Sequence, residues 1–352
     1  MSRFTAALLA LLMACLPAQA QEAKAAFGAA TATQTLVVIG TTDIDVFGPV
    51  MQAFLANRPN LRIAYEQWGS NELAALAASR CASDTGGADM IISSAVDLQV
   101  QLVNDGCAIA HKSPATAGLP GARNWRNEIF GITEEPAVMI YNTELVSPQE
   151  VPLSRFDLID LLRPADSRFY GRVATYDIEE SGLGYLFAFM DSLQANTFGR
   201  LLEAFGRSGT IATCCSAELI DAVADGRYLI AYNVLGSYAL ARAQNDPRIG
   251  VRAPSDYTLI LSRAALIPKH AANFGGAGEF LDFLLSNAGQ AALTQVRLVV
   301  KIGSSDGGDF DLPGGAPSSL RTIALSPILL AGIDRHKREI FLSQWRQNLR
   351  QK

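Results

Sequence analysis

Residues 175–193, TYDIEESGLGYLFAFMDSL, run from an extended segment through Ser181-Gly182-Leu183-Gly184 into an apolar helix. Small residues leave the first backbone N–H groups of a helix unobstructed, and these donors, together with the helix dipole, attract anions. An ordinary serine N-cap with glycines that permit a turn is the alternative interpretation. The organisation of the rest of the chain favours a ligand site.

Strands and helices alternate upstream of this stretch. Residues 35–40, 61–66 and 88–92 are short apolar runs typical of buried parallel strands, and a segment with helical periodicity follows each of them. This alternation predicts a parallel sheet with helices on its faces, in which ligands bind at the carboxyl ends of the strands. Small polar residues follow all three predicted strands: Thr41, Thr42, Ser70, Asn71, Ser93 and Ser94.

A second block of alternating strands and helices covers residues 141–259 and predicts a second lobe. We expect the chain to cross between the lobes at the predicted strands 138–141 and 258–262. The first lobe is then discontinuous and consists of residues 35–140 and 260–302. The predicted fold class is α/β, with two lobes joined by hinge crossings.

The N-terminus predicts export. Arg3 precedes a short apolar run, and AQA at positions 18–20 supplies a small-residue cleavage site, so residues 1–20 are typical of a secretory signal peptide. The segment LMAC ending at Cys15 also resembles a lipoprotein signal, which we rank second because Leu16 follows the cysteine. We therefore expect a periplasmic protein.

Segments of biased composition flank the two lobes. Residues 21–34, rich in Ala and Thr, predict a disordered leader after cleavage. Residues 303–352 predict a polar Gly/Pro loop over 303–319 and, over 327–349, an amphipathic helix packed on a lobe.

The length and charge of the chain limit the kinds of partner that it can bind. Its 352 residues can form two cores, and a net charge of −5 with a pI of 5.3 gives no basic surface for nucleic acid. We expect a monomer that binds no nucleic acid.

Four cysteines follow the predicted signal. Cys81 and Cys107 flank the predicted strand 88–92 at helix ends, so an oxidising compartment favours a disulfide between them. Cys214 and Cys215 are adjacent, and three alternatives stay open: a vicinal disulfide, two thiols or a soft-metal site. Two small buried apolar residues are the fourth.

Five segments carry a family resemblance: TLVVIGTTD, GGADMIISSA, MIYNTELV, ESGLG and GRYLIAYNVLGSYA. Their order, with the export signal and the two α/β blocks, resembles the type II periplasmic solute-binding proteins over residues 35–349. The ferric-iron and phosphosugar-binding branch is most similar, and the regulatory proteins of phosphoglycerate transport are a close likeness. The resemblance implies capture of a solute between the lobes, without a cofactor. It also implies presentation of that solute to an ABC permease or to a membrane sensor histidine kinase.

The resemblance also bears on the ligand. Ferric-binding members have an acid after the third strand and adjacent tyrosines in the second lobe, where this chain has Ser94 and the pair Tyr232-Asn233. Tyr232 and Asp43 alone do not easily supply the oxygen ligands that Fe³⁺ prefers. We therefore predict no metal, and a ferric-iron-binding protein is the alternative. The Ser-Gly-small cradle at Ser181 is matched, which favours a phosphorylated or carboxylated metabolite.

The predicted ligand contacts come from both lobes. Those of the first lobe are Thr41, Thr42, Asp43, Trp68, Ser70, Asn71, Ser93, Ser94 and Glu135. Those of the second are Ser181, Gly182, Leu183, Gly184, Ser216, Tyr232 and Asn233. Neutral donors hold an anion without burying a fixed counter-charge. Glu72, Glu134 and Glu135 count against a purely anionic ligand, because any of them that faces the cleft would bind an amino group and favour a zwitterion.

An enzyme is the rival class. His111, His270 and His336 are the three histidines, and none lies in a nucleophile motif. The sequence contains no Gly-x-Ser-x-Gly, His-Glu-x-x-His or Walker motif. We therefore predict no catalytic residues, and a hydrolase that uses Cys214 as its nucleophile is the alternative.

Overall fold

The computed structural model describes residues 21–194, 197–300 and 320–349 as a mixed α/β structure with two seven-stranded sheets. The strands are β1 (Gln21–Phe27), β2 (Gln34–Gly40), β3 (Leu61–Trp68), β4 (Met90–Ser93), β5 (Asn124–Trp125), β6 (Ile129–Gly131), β7 (Glu135–Asn142), β8 (Val173–Tyr176), β9 (Ile211–Thr213), β10 (Ile230–Leu235), β11 (Ile249–Arg252), β12 (Thr258–Leu261), β13 (Ala264–Leu266) and β14 (Leu320–Thr322).

The helices lie between these strands and at the C-terminus. They are α1 (Ile44–Leu55), α2 (Ser70–Ala82), α3 (Val96–Asn104), α4 (Pro114–Ala117), α5 (Arg155–Leu161), α6 (Gly182–Leu193), α7 (Thr197–Arg207), α8 (Ser216–Ala224), α9 (Gly236–Ala243), α10 (Phe274–Leu285), α11 (Asn287–Gln295), α12 (Leu330–Ile333) and α13 (Arg335–Leu349). Short 3₁₀ turns occupy Gly121–Arg123 and Pro327–Leu329.

The first sheet has the strand order β1-β3-β2-β4-β13-β6-β5. Its centre is the parallel trio β3-β2-β4, formed by the three apolar runs that predict strands, and antiparallel strands extend it on both sides. Leu36, Val38 and Ile63 are fully or almost fully buried in this sheet against Phe47 and Phe280. The carboxyl ends of the parallel strands therefore open on the same edge.

The second sheet has the order β14-β12-β7-β10-β8-β9, and β11 also pairs with β7. Strands β10, β8 and β9 are parallel, as expected for a strand–helix alternation, while β7 is antiparallel to β10 and β12. One apolar cluster includes Ile39 and Val100 beside the first sheet and Leu186 and Leu235 beside the second. The two halves thus share part of their core.

The boundary between the sheets differs from the predicted lobe boundary. Strand β7 lies in the second sheet from Glu135 onward, so residues 135–140 do not belong with the first sheet as predicted. The chain passes from β6 to β7 at residues 132–134 and returns from β12 to β13 at Ser262 and Arg263. A continuous apolar run gives no signal for where one sheet ends, and this explains the error.

The prediction of a disordered leader over residues 21–34 is wrong for its first half. Strand β1 pairs antiparallel with β3, with Ala25 opposite Tyr65. Glu22 and Lys24 are exposed on one face, and Phe27 on the other contacts α1 at Gly48. This two-residue alternation is the signal of an edge strand.

The C-terminal segment contacts both halves of the molecule. Helix α12 packs on α3, whereas α13 packs on α7 and buries Leu342 and Trp345 against Tyr185 and Leu202. The predicted signal peptide (1–20) and loop (303–319) lie outside the described residues. Within the described ranges, no helix is both long and apolar enough to span a membrane.

The predicted disulfide between Cys81 and Cys107 is confirmed, with Cα atoms 5.5 Å apart. It joins Cys81, in the last turn of α2, to Cys107, which lies in the short turn after α3. The bond therefore ties together the two helices that flank β4.

Candidate ligand cleft

A cleft of about 850 Å³ lies between the two sheets. Five helices begin at its wall, because the N-cap residues of α1, α2, α6, α8 and α9 all line it. These residues are Asp43, Gly69, Ser181, Cys215 and Leu235. Such convergence follows from strand–helix turns at the carboxyl ends of the strands, and it places the positive ends of five helix dipoles at the enclosed space.

Nine of the predicted contact residues line this cleft. They are Thr41, Asp43, Trp68, Ser70, Asn71, Ser94, Ser181, Leu183 and Ser216. Thr41 and Ser94 lie next to each other, with Oγ1 and Oγ 3.3 Å apart, and the Ser94 N–H donates to Thr41 Oγ1 at 3.1 Å. Across the cleft, Ser216 Oγ lies 2.5 Å from the Tyr176 hydroxyl.

The two walls touch where α2 meets α6. Ser70 Oγ accepts a hydrogen bond from the Gly182 N–H at 3.0 Å, and Asn71 Nδ2 donates to the Glu180 carbonyl at 2.8 Å. A Cβ at Gly182 would lie 2.9 Å from Ser70 Oγ and 3.2 Å from the Ala95 Cβ, so the close approach requires glycine. These bonds hold the cleft partly shut.

The predicted anion cradle is partly occupied by the protein itself. Gly182 donates to Ser70, and Gly184 donates to Ser181 Oγ at 3.0 Å as in an ordinary N-cap. Of the three N–H groups that we predicted, the one of Leu183 has no partner among the described residues.

Three predicted residues lie buried beside the cleft rather than lining it. Ser93 Oγ accepts from the Ala95 N–H at 3.1 Å. Thr42 and Glu135 bind the buried side chain of Arg263, which lines the cleft at the second chain crossing. They therefore support a wall residue that sequence reasoning missed.

Among the residues that the structure describes, Arg263 is the cationic residue on the cleft wall. Its Nε and Nη2 donate to the two carboxylate oxygens of Glu135 at 3.2 Å each, and its Nη1 donates to Thr42 Oγ1 at 2.7 Å. A guanidinium has five N–H donors, so two remain beyond these three. Burial is the largest single effect and would lower the pKa of Arg263, but the charge and hydrogen bonds of Glu135 together with Tyr238 and Tyr65 raise it. The sequence signal was one arginine in the apolar run TLILSRAALI at 258–267.

Tyr232 and Asn233 lie away from the cleft, contrary to our prediction. Both bind Asp191 Oδ2, the Tyr232 hydroxyl at 2.7 Å and Asn233 Nδ2 at 2.6 Å, in a buried cluster with Arg155. Burial raises the pKa of Tyr232 well above its ordinary value. Asn233 adopts a φ of 61° where the register of β10 shifts, so a bulge redirects both side chains into this cluster.

Carboxylates outnumber the arginine on the cleft wall. They belong to Glu22, Asp43, Glu72, Glu179 and Glu180. Gln67 Nε2 bridges Glu22 and Asp43 at 2.8 and 2.9 Å. Burial raises the pKa of Asp43, while Arg263 lowers it and Glu22 raises it further. One part of the wall is therefore suited to a cation and another to an anion.

Aromatic side chains complete the wall. Trp68, Tyr176 and Tyr238 line it, and the Tyr238 hydroxyl accepts from the Asp43 N–H at 3.1 Å, which joins the two walls. Burial raises the pKa of Tyr176 to about 12 and also raises that of Tyr238. Both hydroxyls thus stay protonated at neutral pH.

The described residues of the cleft offer no nucleophile with an adjacent base. His111 binds Asp282 and His270 binds Asp84, in both cases away from the cleft. Cys214, the candidate nucleophile of the hydrolase alternative, is bonded to Cys215. The arrangement is suited to enclosing a solute.

Comparisons with known proteins follow the same direction. The family model described as bacterial extracellular solute-binding protein matches residues 35–296. The chain is similar to the substrate-binding protein of an ABC transporter from Agrobacterium tumefaciens, with 31% identity and a TM-score of 0.84 over 93% of this chain and 98% of that chain.

Two more distant structures share the fold. Iron-bound HitA from Pseudomonas aeruginosa has 18% identity and a TM-score of 0.68 over 89% of this chain and 98% of that chain. AfuA from Actinobacillus pleuropneumoniae, with bound fructose 6-phosphate, has 16% identity and a TM-score of 0.71 over 91% and 100%. No curated protein sequence matches the chain significantly.

Proposed function

Because the chain belongs to the bacterial extracellular solute-binding protein family, we propose that it captures a small zwitterionic solute in the cleft and delivers it to an ABC permease. Proteins of this family bind solutes outside the cytoplasm. The proposal concerns the chemistry of the ligand, its contacts and the partner that receives it.

The charges on the cleft wall carry the proposal. Arg263 and the Leu183 N–H offer donors to a carboxylate or phosphate, beside the hydroxyls of Thr41 and Ser94. Glu22, Asp43 and the other wall carboxylates suit an ammonium group. A solute with both charges satisfies both parts of the wall, whereas a pure anion would be repelled by the carboxylates.

A purely anionic metabolite, as the sequence predicts, is the second candidate. The five helix N-termini at the wall and the two remaining N–H donors of Arg263 favour it. Ferric iron is disfavoured, because Tyr232 lies away from the cleft and the hydroxyls of Tyr176 and Tyr238 are hydrogen-bonded to Ser216 and to the Asp43 N–H.

The partner is a second part of the proposal. The Agrobacterium tumefaciens relative is the substrate-binding protein of an ABC transporter, which supports a permease. Docking of the liganded protein on a membrane sensor kinase, as in the phosphoglycerate regulatory likeness, is the alternative. We expect a monomer in both cases, and size-exclusion chromatography with light scattering tests this.

Isothermal titration calorimetry tests the ligand class. The mature protein is titrated with amino acids, phosphorylated sugars, dicarboxylates and polyamines, and we expect binding of a zwitterion. Arg263→Gln should weaken it by about 30-fold, since a hydrogen bond to a charged group contributes about 2 kcal/mol. Arg163→Gln, which removes an exposed arginine of α5's C-terminal turn, is the matched control.

A second variant protects this test from misfolding. Thr41→Ala leaves the buried pair of Arg263 and Glu135 intact and should still weaken binding several-fold. Tight binding of a phosphate ester that neither variant weakens would refute both the zwitterion and the assigned wall.

A further inference from the structure

The wall of the cleft contains a pair of adjacent cysteines that solute binding does not explain. Cys214 and Cys215 follow β9, form a disulfide with each other, and stand directly before α8, for which Cys215 is the N-cap. Both line the cleft. The sulfur atoms are thus placed where a small species that enters the cleft can reach them.

A carboxylate stands beside this pair. Glu218, in the first turn of α8, has its Oε2 3.6 Å from Cys214 Sγ, and the Thr213 hydroxyl donates to the same oxygen. A disulfide sulfur carries no hydrogen, so it cannot donate to this carboxylate. A thiol would donate to this carboxylate, and a cation bound to the sulfurs would attract it.

The three side chains together have the composition of a metal site. One atom from each of Cys214, Cys215 and Glu218 lies within 4.8 Å of the other two, and within the described ranges no other group of His, Cys, Asp and Glu meets this criterion. Two thiolates and one carboxylate are ligands that Zn²⁺ and other thiophilic cations accept, with a further position open to the cleft.

We propose that reduction of the Cys214–Cys215 disulfide creates a site for one thiophilic divalent cation, held by the two sulfurs and Glu218. A dithiol reductant supplies two electrons and two protons, so the S–S bond breaks, two thiols form, and the reductant becomes a disulfide. The cation then displaces both thiol protons and forms two metal–sulfur bonds. Exchange with a disulfide oxidant re-forms the Cys214–Cys215 bond and leaves the oxidant as two thiols, which closes the site because a disulfide offers no thiolate.

The surroundings favour a cation at this place. The dipole of α8 stabilises negative charge at its N-terminus, which suits two thiolates before metal arrives. The wall carboxylates, among them Glu72 and Glu180, raise the local concentration of cations.

Cadmium titration tests the proposal, with Cd²⁺ as the probe. The mature protein is reduced with a phosphine, desalted without oxygen and titrated while thiolate-to-metal charge-transfer absorbance is recorded. We expect equimolar uptake by the reduced protein and none by the oxidised protein. Cys214→Ser/Cys215→Ser, treated with the same phosphine, keeps Cys81 and Cys107 and should lose the uptake.

The role of the carboxylate has its own variant. Glu218→Gln keeps both sulfurs, and we expect it to weaken Cd²⁺ binding by about tenfold. If the reduced protein takes up no more Cd²⁺ than the double serine variant, the site is refuted. Unchanged affinity in Glu218→Gln would refute the proposed ligand set. Solute titration of the oxidised protein is independent of both results.

Discussion

Two buried arginines occupy equivalent chemical surroundings but different places. Arg155 and Arg263 are each 1% exposed, and each pairs with a buried carboxylate, Asp191 and Glu135 respectively. Arg155 makes four hydrogen bonds, to Tyr232, Asp191, Asp256 and the Tyr257 carbonyl, and stacks on the Tyr257 ring at 3.6 Å. Arg263 makes three and lines the cleft.

The difference teaches that burial and pairing do not identify a functional charge. Arg155 joins α5, α6, β10 and the loop before β12, all within the half built on the second sheet. Arg263 joins Thr42 of the first half to Glu135, which also accepts from Ser237 of the second. What distinguishes Arg263 is its position at a chain crossing and its access to the cleft.

Replacing Arg155 is expected to have the largest effect. Arg155→Met leaves Asp191 buried without its counter-charge, so the free energy of unfolding should fall by about 3–5 kcal/mol. Urea denaturation followed by circular dichroism measures it. Arg163→Gln, at an exposed pair, should change it by less than about 0.5 kcal/mol.

Solute binding should distinguish Arg155 from Arg263. Since Arg155 does not line the cleft, the fraction of Arg155→Met that remains folded should bind solute as the wild type does. Loss of binding in that folded fraction would show that the buried cluster shapes the cleft, and would remove the distinction drawn between the two arginines.

Local patterns in the sequence predict a large part of this structure. The apolar runs at 35–40, 61–66 and 88–92 form the parallel centre of the first sheet, because a short buried strand depends mainly on its own residues. Polar residues after those strands reach the cleft for the same reason, as Thr41 and Ser94 do. These features need no knowledge of distant partners.

The failures at the ligand site depend on distant partners. Tyr232 and Asn233 follow the expected strand, but a bulge directs them toward Asp191 and Arg155. Arg263 lies in an apolar run and becomes a wall residue only because Glu135, far away in the chain, compensates its charge. A single sequence contains no direct signal for such pairing.

A third buried ionisable side chain, Asp97, shows how burial affects a carboxyl group that accepts no hydrogen bond from any arginine that the structure describes. Asp97 of α3 is 3% exposed, and its Oδ1 has no hydrogen-bond partner among the described residues. Burial raises the pKa of Asp97 to about 7, against smaller opposing effects of backbone N–H groups and Arg338 of α13. Tyr185 of α6 interacts electrostatically with both Arg338 and Asp97. The carboxyl of Asp97 is therefore neutral over much of the acidic range.

The expected pH dependence follows from that shift. Between about pH 4 and 7 the folded state retains a proton that the unfolded state releases, so the free energy of unfolding falls as pH rises and then levels off. The loss is on the order of 3 kcal/mol. Asp97→Asn should remove this slope and be more stable than the wild type at pH 8, as measured by urea denaturation from pH 4 to 8. A parallel pH profile in the variant would contradict the assignment.

The smallest effect is expected where the two walls meet. If Arg263 acts from a cleft that closes, the contact between Ser70 and the Gly182 N–H stabilises the closed form, in which the solute is enclosed. Ser70→Ala removes that acceptor, worth about 1 kcal/mol, so solute affinity should fall by about fivefold while Arg155 and its cluster are untouched. Calorimetry measures the affinity, and small-angle X-ray scattering of the unliganded variant should show a larger radius of gyration.

Ser83→Ala, at the opposite end of α2, is the matched control, since its hydroxyl bonds only within that end of the helix and the turn after it. Equal affinities in the two variants would mean that closure does not depend on this contact.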